Sequence, residues 1–259
     1  MPSFEHDKLV ERDRYDQRAR AFLAINDPPL GADGAASQPL AVRAPYLVFE
    51  KYIQRSVRPE TAALDVCCGT GLYSLIAAGA GAEVTASDIA EHNLMVARRR
   101  AERIGIHLHT VATDAEHLPF PDGSFDVITC AGSLSYLNLD AFLAEVERLL
   151  RPNGWFVCVD SLNHNPIYRF NRYLQYLRGR RTKATLVRMP TMSTLTVLRS
   201  RFEACETSFH GVASFLSPAL SPLFGEARTA RILDQFDSRA TLLHRWAFKF
   251  VLRGRRKES

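Results

Sequence analysis

Leu64-Asp65-Val66-Cys67-Cys68-Gly69-Thr70-Gly71 closes an apolar run that starts at Ala62 and opens a helix-compatible run from Leu72 to Ala78. The order predicts a strand, a tight turn and a helix. Glycine lacks a Cβ and tolerates positive φ, so Gly69 and Gly71 would let the backbone come close to a ligand. The helix start adds free N–H groups and a partial positive charge. Such a turn, at the carboxyl end of a sheet strand, cradles a nucleotide-like small molecule.

The residues around the turn narrow the choice of ligand. Gly69-Thr70-Gly71-Leu72-Tyr73-Ser74 reads G-x-G-x-x-S, without the third glycine of a dinucleotide fingerprint, and no lysine follows as a P-loop requires. Asp65 puts negative charge beside the turn, which suits a cation better than a pyrophosphate. S-adenosylmethionine carries a sulfonium and an ammonium; a nicotinamide dinucleotide stays open as the alternative. A second predicted strand, 83–87, ends at Asp88, placed for a carboxylate to accept both ribose hydroxyls. Further on, Asp114 lies in a loop. Pro121-Asp122-Gly123 makes a turn, and Phe125-Asp126-Val127-Ile128 begins another strand.

These four segments in this order resemble the class I S-adenosylmethionine-dependent methyltransferases, in the small-molecule branch that includes the ubiquinone and menaquinone methyltransferases. The resemblance covers residues 60–160. The first family motif, D-x-G-x-G-x-G, stands here as Asp65, Cys67, Gly69 and Gly71. Cysteine in place of the first glycine implies that this position needs no positive φ. The resemblance implies an α/β fold: a seven-stranded Rossmann-like sheet, mostly parallel with an antiparallel last strand, and helices on both faces. Its cofactor would be S-adenosylmethionine, held at the turn by Asp65, Cys67, Gly69, Thr70 and Gly71. Asp88 would hold the ribose and Ile89 would pack on the adenine. Asp114 would accept from the adenine amino group beside Ala115. Ala131, with Gly132 and Ser133, would reach the cofactor's edge. Tyr15, on an N-terminal helix over 11–24, would close over it.

The 259 residues suffice for one core with additions. The expected division is a single methyltransferase domain over 1–259. Within it, 1–56 would be a helical cap, 57–160 the cofactor-binding core, and 161–190 and 211–243 the acceptor cover. No apolar run reaches the roughly 18 residues needed to span a bilayer. The start, Met1 to Lys8, is charged and lacks a signal-peptide core. The five cysteines are Cys67, Cys68, Cys130, Cys158 and Cys205; they read as free thiols of a reducing, cytoplasmic compartment. No C-x-x-C pattern supports a metal site, and His107 with His109 reads as a solvent-facing strand edge.

Alternation continues beyond the first unit. Helices are predicted over 42–56, 72–79, 90–103, 139–151 and 191–201. Strands are predicted over 107–112, 125–130, 155–160, 203–209 and 245–252, the last as an antiparallel edge. Arg151-Pro152-Asn153-Gly154 reads as the turn between helix and strand. Residues 27–37 read as a loop, and Pro218 with Pro222 argues against a long straight helix in 211–243. Arg253 to Lys257 reads as a solvated basic tail.

Charge divides the chain. Residues 1–159 carry a net −6 and residues 160–259 a net +11. No acid falls between Ser161 and Phe202, where nine basic residues lie: Arg169, Arg172, Arg178, Arg180, Arg181, Lys183, Arg188, Arg199 and Arg201. Phe170, Tyr173, Leu174 and Leu177 form an apolar stripe among them. Such a stretch suits an anionic small-molecule acceptor or the surface of an anionic membrane. It is equally a solvated helical cap. Nucleic acid is disfavoured, because no N-P-P-Y motif or RNA-binding module is present. His164, just past the fifth strand, is the candidate general base; a helix-capping histidine is the plain alternative. Tyr136, for acceptor or cofactor, and Asn163 are candidate binding residues; His210, at the end of the sixth strand, is a weaker candidate with a core or capping role as its plain reading. The expected function is methyl transfer to a small molecule, at a hydroxyl of a glycan, lipid or specialised metabolite. A nucleic-acid methyltransferase and a non-catalytic S-adenosylmethionine-binding protein are the alternatives.

Overall fold

The computed structural model describes residues 4–24, 34–179 and 182–258. In chain order they form α1 (Phe4–Ala24), α2 (Ala44–Ser56), β1 (Ala62–Val66), α3 (Leu72–Gly79), β2 (Glu83–Asp88), α4 (Glu91–Arg103), β3 (His109–Ala112), β4 (Phe125–Ala131) and α5 (Leu139–Leu149). Then follow β5 (Leu150–Ser161), α6 (Pro166–Leu177), α7 (Lys183–Val187), α8 (Met192–Arg201), β6 (Phe202–His210), α9 (Ser217–Phe224), α10 (Glu226–Arg239) and β7 (Lys249–Arg256). The strands make one sheet in the order β3-β2-β1-β4-β5-β7-β6. β1 to β5 pair in parallel, and β7 runs antiparallel to both its neighbours. The strand order reverses at β1, so the crevice for a ligand opens at the carboxyl ends of β1 and β4.

Alternation along the central strands sends side chains to two separate cores. On one face Ile128, Phe156 and Phe250 pack with Phe142 and Val146 of α5 and Leu195 and Leu198 of α8. On the other, Val127, Val157 and Val251 pack with Phe49 and Ile53 of α2, Leu75 of α3 and Ala97 of α4. Helix starts are set by side-chain caps. Asn138 accepts from Ala141 N at 3.3 Å to begin α5, and Asn165 accepts from Ile167 N at 3.0 Å to begin α6.

Several sequence expectations shift. β3 begins at His109, leaving His107 outside it; both rings are exposed. The expected turn at 151–154 lies inside β5 as a bulge. The pairing jumps from Phe125–Leu150 to Val127–Trp155, and Asn153 takes φ 65°. Residues 27–33 of the expected loop lie outside the described residues, as do Arg180 and Arg181; Gly34–Ser37 forms a 3-10 turn. α9 contains both prolines and is only eight residues long, and Gly225 at φ 78° separates it from α10.

The largest correction concerns the last strand. Thr241–Trp246 is a 3-10 turn, and β7 starts four residues later than expected, at Lys249. β6, not β7, is the edge. Arg253 is buried: its guanidinium lies 3.3 Å over the Trp155 ring and donates to Glu206 Oε1 and Ser56 Oγ, both at 2.8 Å. A Cβ on Gly254 would stand 2.7 Å from Phe202 Cβ. The expected basic tail is therefore, through Arg256, an interior strand. Among the described residues no helix is long and apolar enough to cross a membrane.

Candidate active site

A cavity of about 290 Å³ opens at the carboxyl ends of β1, β2 and β4. Its floor is the loop after β1. Gly71 N donates to Cys68 O at 3.0 Å, closing the turn, and Cys68 N donates to Ser87 O at 2.9 Å, tying it to β2. The loop needs three left-handed residues: Cys67 at φ 54°, Gly69 at 55° and Gly71 at 77°. Cys67 thus does adopt positive φ, against the expectation. A non-glycine residue there stores about 1–2 kcal/mol of backbone strain, at a position that lines the cavity. The two glycines have different jobs. A Cβ on Gly69 would enter open space, as a ligand approach requires. A Cβ on Gly71 would sit 2.6 Å from Ala97 Cβ, so this glycine lets α4 pack against the loop.

Three acids stand around the cavity at the ends of successive strands. Asp65 is buried and accepts from Ser74 Oγ at 2.5 Å and Thr129 Oγ1 at 2.7 Å. Burial outweighs these hydrogen bonds and raises its pKa to about 6. Asp88 Oδ2 accepts from Gly69 N at 2.9 Å, while Oδ1 accepts from Ala90 N at 2.8 Å and Asn93 Nδ2 at 3.2 Å. Burial also raises the Asp88 pKa. Asp114 Oδ1 accepts from Glu116 N at 3.0 Å, and Oδ2 receives the Lys8 ammonium at 2.6 Å. Desolvation, with the Asp88 and Asp65 charges beside them, pushes the Cys67 and Cys68 thiols far up, so neither is a nucleophile at neutral pH.

The roof comes from α1 and α7. Lys8 bridges Asp114 and Glu116, at 2.6 and 2.9 Å. Asp16 accepts from His92 N at 3.1 Å, fixing α1 on the start of α4. Tyr15 Oη lies 3.0 Å from Tyr136 Oη, with the two rings edge to face. Thr185 of α7 donates to Glu11 Oε1 of α1 at 3.3 Å. Arg12 and Arg188 complete the wall.

The cavity gathers Tyr15, Asp65, Cys67, Gly69, Thr70, Asp88, Ile89, Asp114, Ala115, Ala131 and Tyr136 from the sequence-derived set. Gly71 stands behind the loop. His164 and Asn163 do not line the cavity. His164 Nε2 accepts from Met192 N at 2.9 Å, capping α8, and desolvation lowers its pKa so that it stays neutral. Asn163 Oδ1 accepts from buried Arg172 at 3.2 Å. His210 ends β6, where its Nε2 lies 2.9 Å from Ser208 Oγ, and also lies outside the cavity. Sequence reasoning missed Lys8, Glu11, Thr182 and Thr185. The D-A-E run at 114–116, two acids that burial would leave needing a cation, was the one available signal for Lys8.

Residues 64–158 match the family described as "Methyltransferase domain". The demethylmenaquinone methyltransferase of Listeria welshimeri is 35% identical over 132 residues, which take in 47% of this chain and 55% of that protein. The chain thus spans about half the length of the curated relatives it matches. Among solved structures, the phosphoethanolamine N-methyltransferase 2 of Haemonchus contortus aligns over 100% of this chain and 61% of its own, with TM-score 0.62 and 14% identity. Geranyl diphosphate methyltransferase in complex with GPP and sinefungin aligns over 83% and 79%, with TM-score 0.56 and 18% identity. Residues 64–158 thus match a methyltransferase domain in sequence, and the chain as a whole shares the fold of these solved methyltransferases.

Proposed function

We propose that this protein uses S-adenosylmethionine to methylate a small-molecule acceptor, at a hydroxyl of a glycan, lipid or specialised metabolite, beneath the roof of α1 and α7. The observation that carries this reading is the set of three acids at successive strand ends around one cavity. The residues present fit the cofactor. Asp65 brings a buried carboxylate to the cavity wall, which a sulfonium and an ammonium would neutralise. Gly69 leaves a cradle that any Cβ would fill. Asp88 holds that cradle in shape through the Gly69 amide.

When bound, S-adenosylmethionine supplies an already activated methyl donor, so the chain's own task is alignment. Tyr136 and Tyr15 form a phenol pair on the cavity wall and sit where an acceptor hydroxyl can be oriented. This pair, and not His164, takes the positioning role. Arg12 and Arg188 on the wall favour an acceptor that carries phosphate or carboxylate. In this reading residues 1–56 cap the core. Of the two expected cover segments, 161–190 contributes to the cavity wall through α7.

The test is transfer of labelled methyl from S-adenosylmethionine into fractions of a cell extract. Tyr136→Phe is expected to lower the initial rate into the responding fraction by roughly 10- to 100-fold, as misalignment of a reacting group does, with cofactor affinity kept. Equal rates for the variant would remove Tyr136 from the proposal. Tight cofactor binding with label entering no fraction would favour the non-catalytic alternative.

A further inference from the structure

We propose that α6 docks this protein on an anionic lipid surface. The helix is turned with its polar side inward. At its start the Asn165 amide donates to Trp246 O at 3.0 Å and Val212 O at 3.3 Å. One turn on, Tyr168 Oη donates to Gly211 O at 2.7 Å. Arg172, buried at 5% exposure, donates to Leu162 O at 2.7 Å and lies 5.6 Å from the Phe248 ring centre. These bonds fix the rotation of the helix about its axis.

The opposite side is therefore forced outward, and it is apolar. Ile167, Phe170, Tyr173 and Leu177 recur three or four residues apart, and they are 46%, 63%, 51% and 60% exposed. Val187 at the end of α7 is 75% exposed. A helix of a water-exposed domain shows the reverse arrangement. Basic residues flank the stripe: Arg169 on one side, Arg178 on the other and Lys183 at the start of the next helix, all exposed. An apolar stripe edged by arginine and lysine is the pattern of a helix lying in a lipid interface, its cations at the headgroups.

Charge also separates this occupant from a second copy of the chain. A two-fold interface would bring this basic face against itself, with no acid between Ser161 and Phe202 to compensate. α7 belongs to both places: Val187 points outward while Ala184 and Thr185 line the cavity. Docking would thus set one cavity wall beside the lipid, although docking itself does not depend on the proposed methyl transfer.

Flotation with vesicles tests this. Vesicles of equal parts phosphatidylcholine and phosphatidylglycerol should bind the protein at least about 10-fold more tightly than phosphatidylcholine alone, since each headgroup-facing cation adds to affinity. The double variant Phe170→Ser/Leu177→Ser should lose that binding, as should Arg169→Glu/Arg178→Glu, with cofactor affinity and Tm kept as controls for folding. Phe170→Trp keeps the face apolar and gives an independent readout: its emission should shift to the blue with the anionic vesicles. Absence of binding by the unaltered protein would overturn the proposal, as would undiminished binding by both double variants. So would an unshifted tryptophan, or a solution dimer that Phe170→Ser/Leu177→Ser dissociates.

Discussion

Gly71→Ala is expected to lower the unfolding free energy by about 2–5 kcal/mol and Tm by roughly 5–15 °C, measured by calorimetric melting. Two costs add. At φ 77° an L side chain is strained by about 1–2 kcal/mol. The new Cβ would also sit 2.6 Å from Ala97 Cβ and 3.2 Å from Ala97 Cα, and helix backbone does not yield as a flexible side chain does. Gly69→Ala carries only the first cost, because nothing lies within 4 Å of its added Cβ. Its damage should fall on cofactor affinity instead. If Gly71→Ala melted with the unaltered protein, the packing of α4 on the loop would be wrong.

Asp65→Asn is expected to stabilise the empty protein at neutral pH while weakening cofactor binding. The carboxyl pKa stands at about 6 in the fold against 3.8 as its ordinary value. A raised acid pKa means that the ionised form is disfavoured by folding, by about 3 kcal/mol here. The sign follows directly. Above about pH 6 the group is charged in both states and the full cost applies. As pH falls from about 6 to below about 4 the cost disappears, so this group makes the fold more stable on acidification. The asparagine variant should lack that gain, and the difference between the two melting profiles isolates it from Asp88 and Asp160, which burial also raises. Asparagine can still accept from one of Ser74 and Thr129 and donate to the other. Cofactor binding should run the other way: the unaltered protein should lose affinity as pH falls through about 6, and the variant should lack the part of that response that Asp65 contributes. Parallel stability profiles would refute the assignment of a costly buried charge to Asp65.

Sequence and structure agree where local pattern decides and part where tertiary packing does. Strand β1, a tight turn and α3 are dictated within twenty residues by apolar runs and glycines, and their order and bounds stand as expected. The chemistry of Cys67 misleads because β-carbon strain at φ 54° is tolerated when neighbouring bonds over-determine the turn. Gly71 misleads because its requirement lies on α4, 26 residues away. His164 does follow β5, as expected. However, Asn163 N bonds to Pro190 O and carries the chain toward the start of α8 instead of over the cavity. Arg253 to Arg256 read as a solvated tail because cations are rarely carried into a sheet interior. Partners distant in sequence let the cations of this strand go inside: the Tyr46 ring and Ser161 Oγ for Lys249, and the Trp155 ring, the Glu206 carboxylate and Ser56 Oγ for Arg253. The acid-free stretch is legible as amphipathic, but which side of α6 faces outward depends on Arg172, whose partners no pattern announces.

The most direct test of the central claim is calorimetric titration of S-adenosylmethionine into the unaltered protein and into Asp88→Ala at neutral pH. Asp88 holds the glycine loop through Gly69 N and lines the cavity at the end of β2. One site per chain is expected in the unaltered protein, and in the variant an affinity lower by at least roughly 10- to 100-fold, the worth of a lost charged hydrogen bond. Equal affinity in the two proteins, or no binding in either, would contradict it.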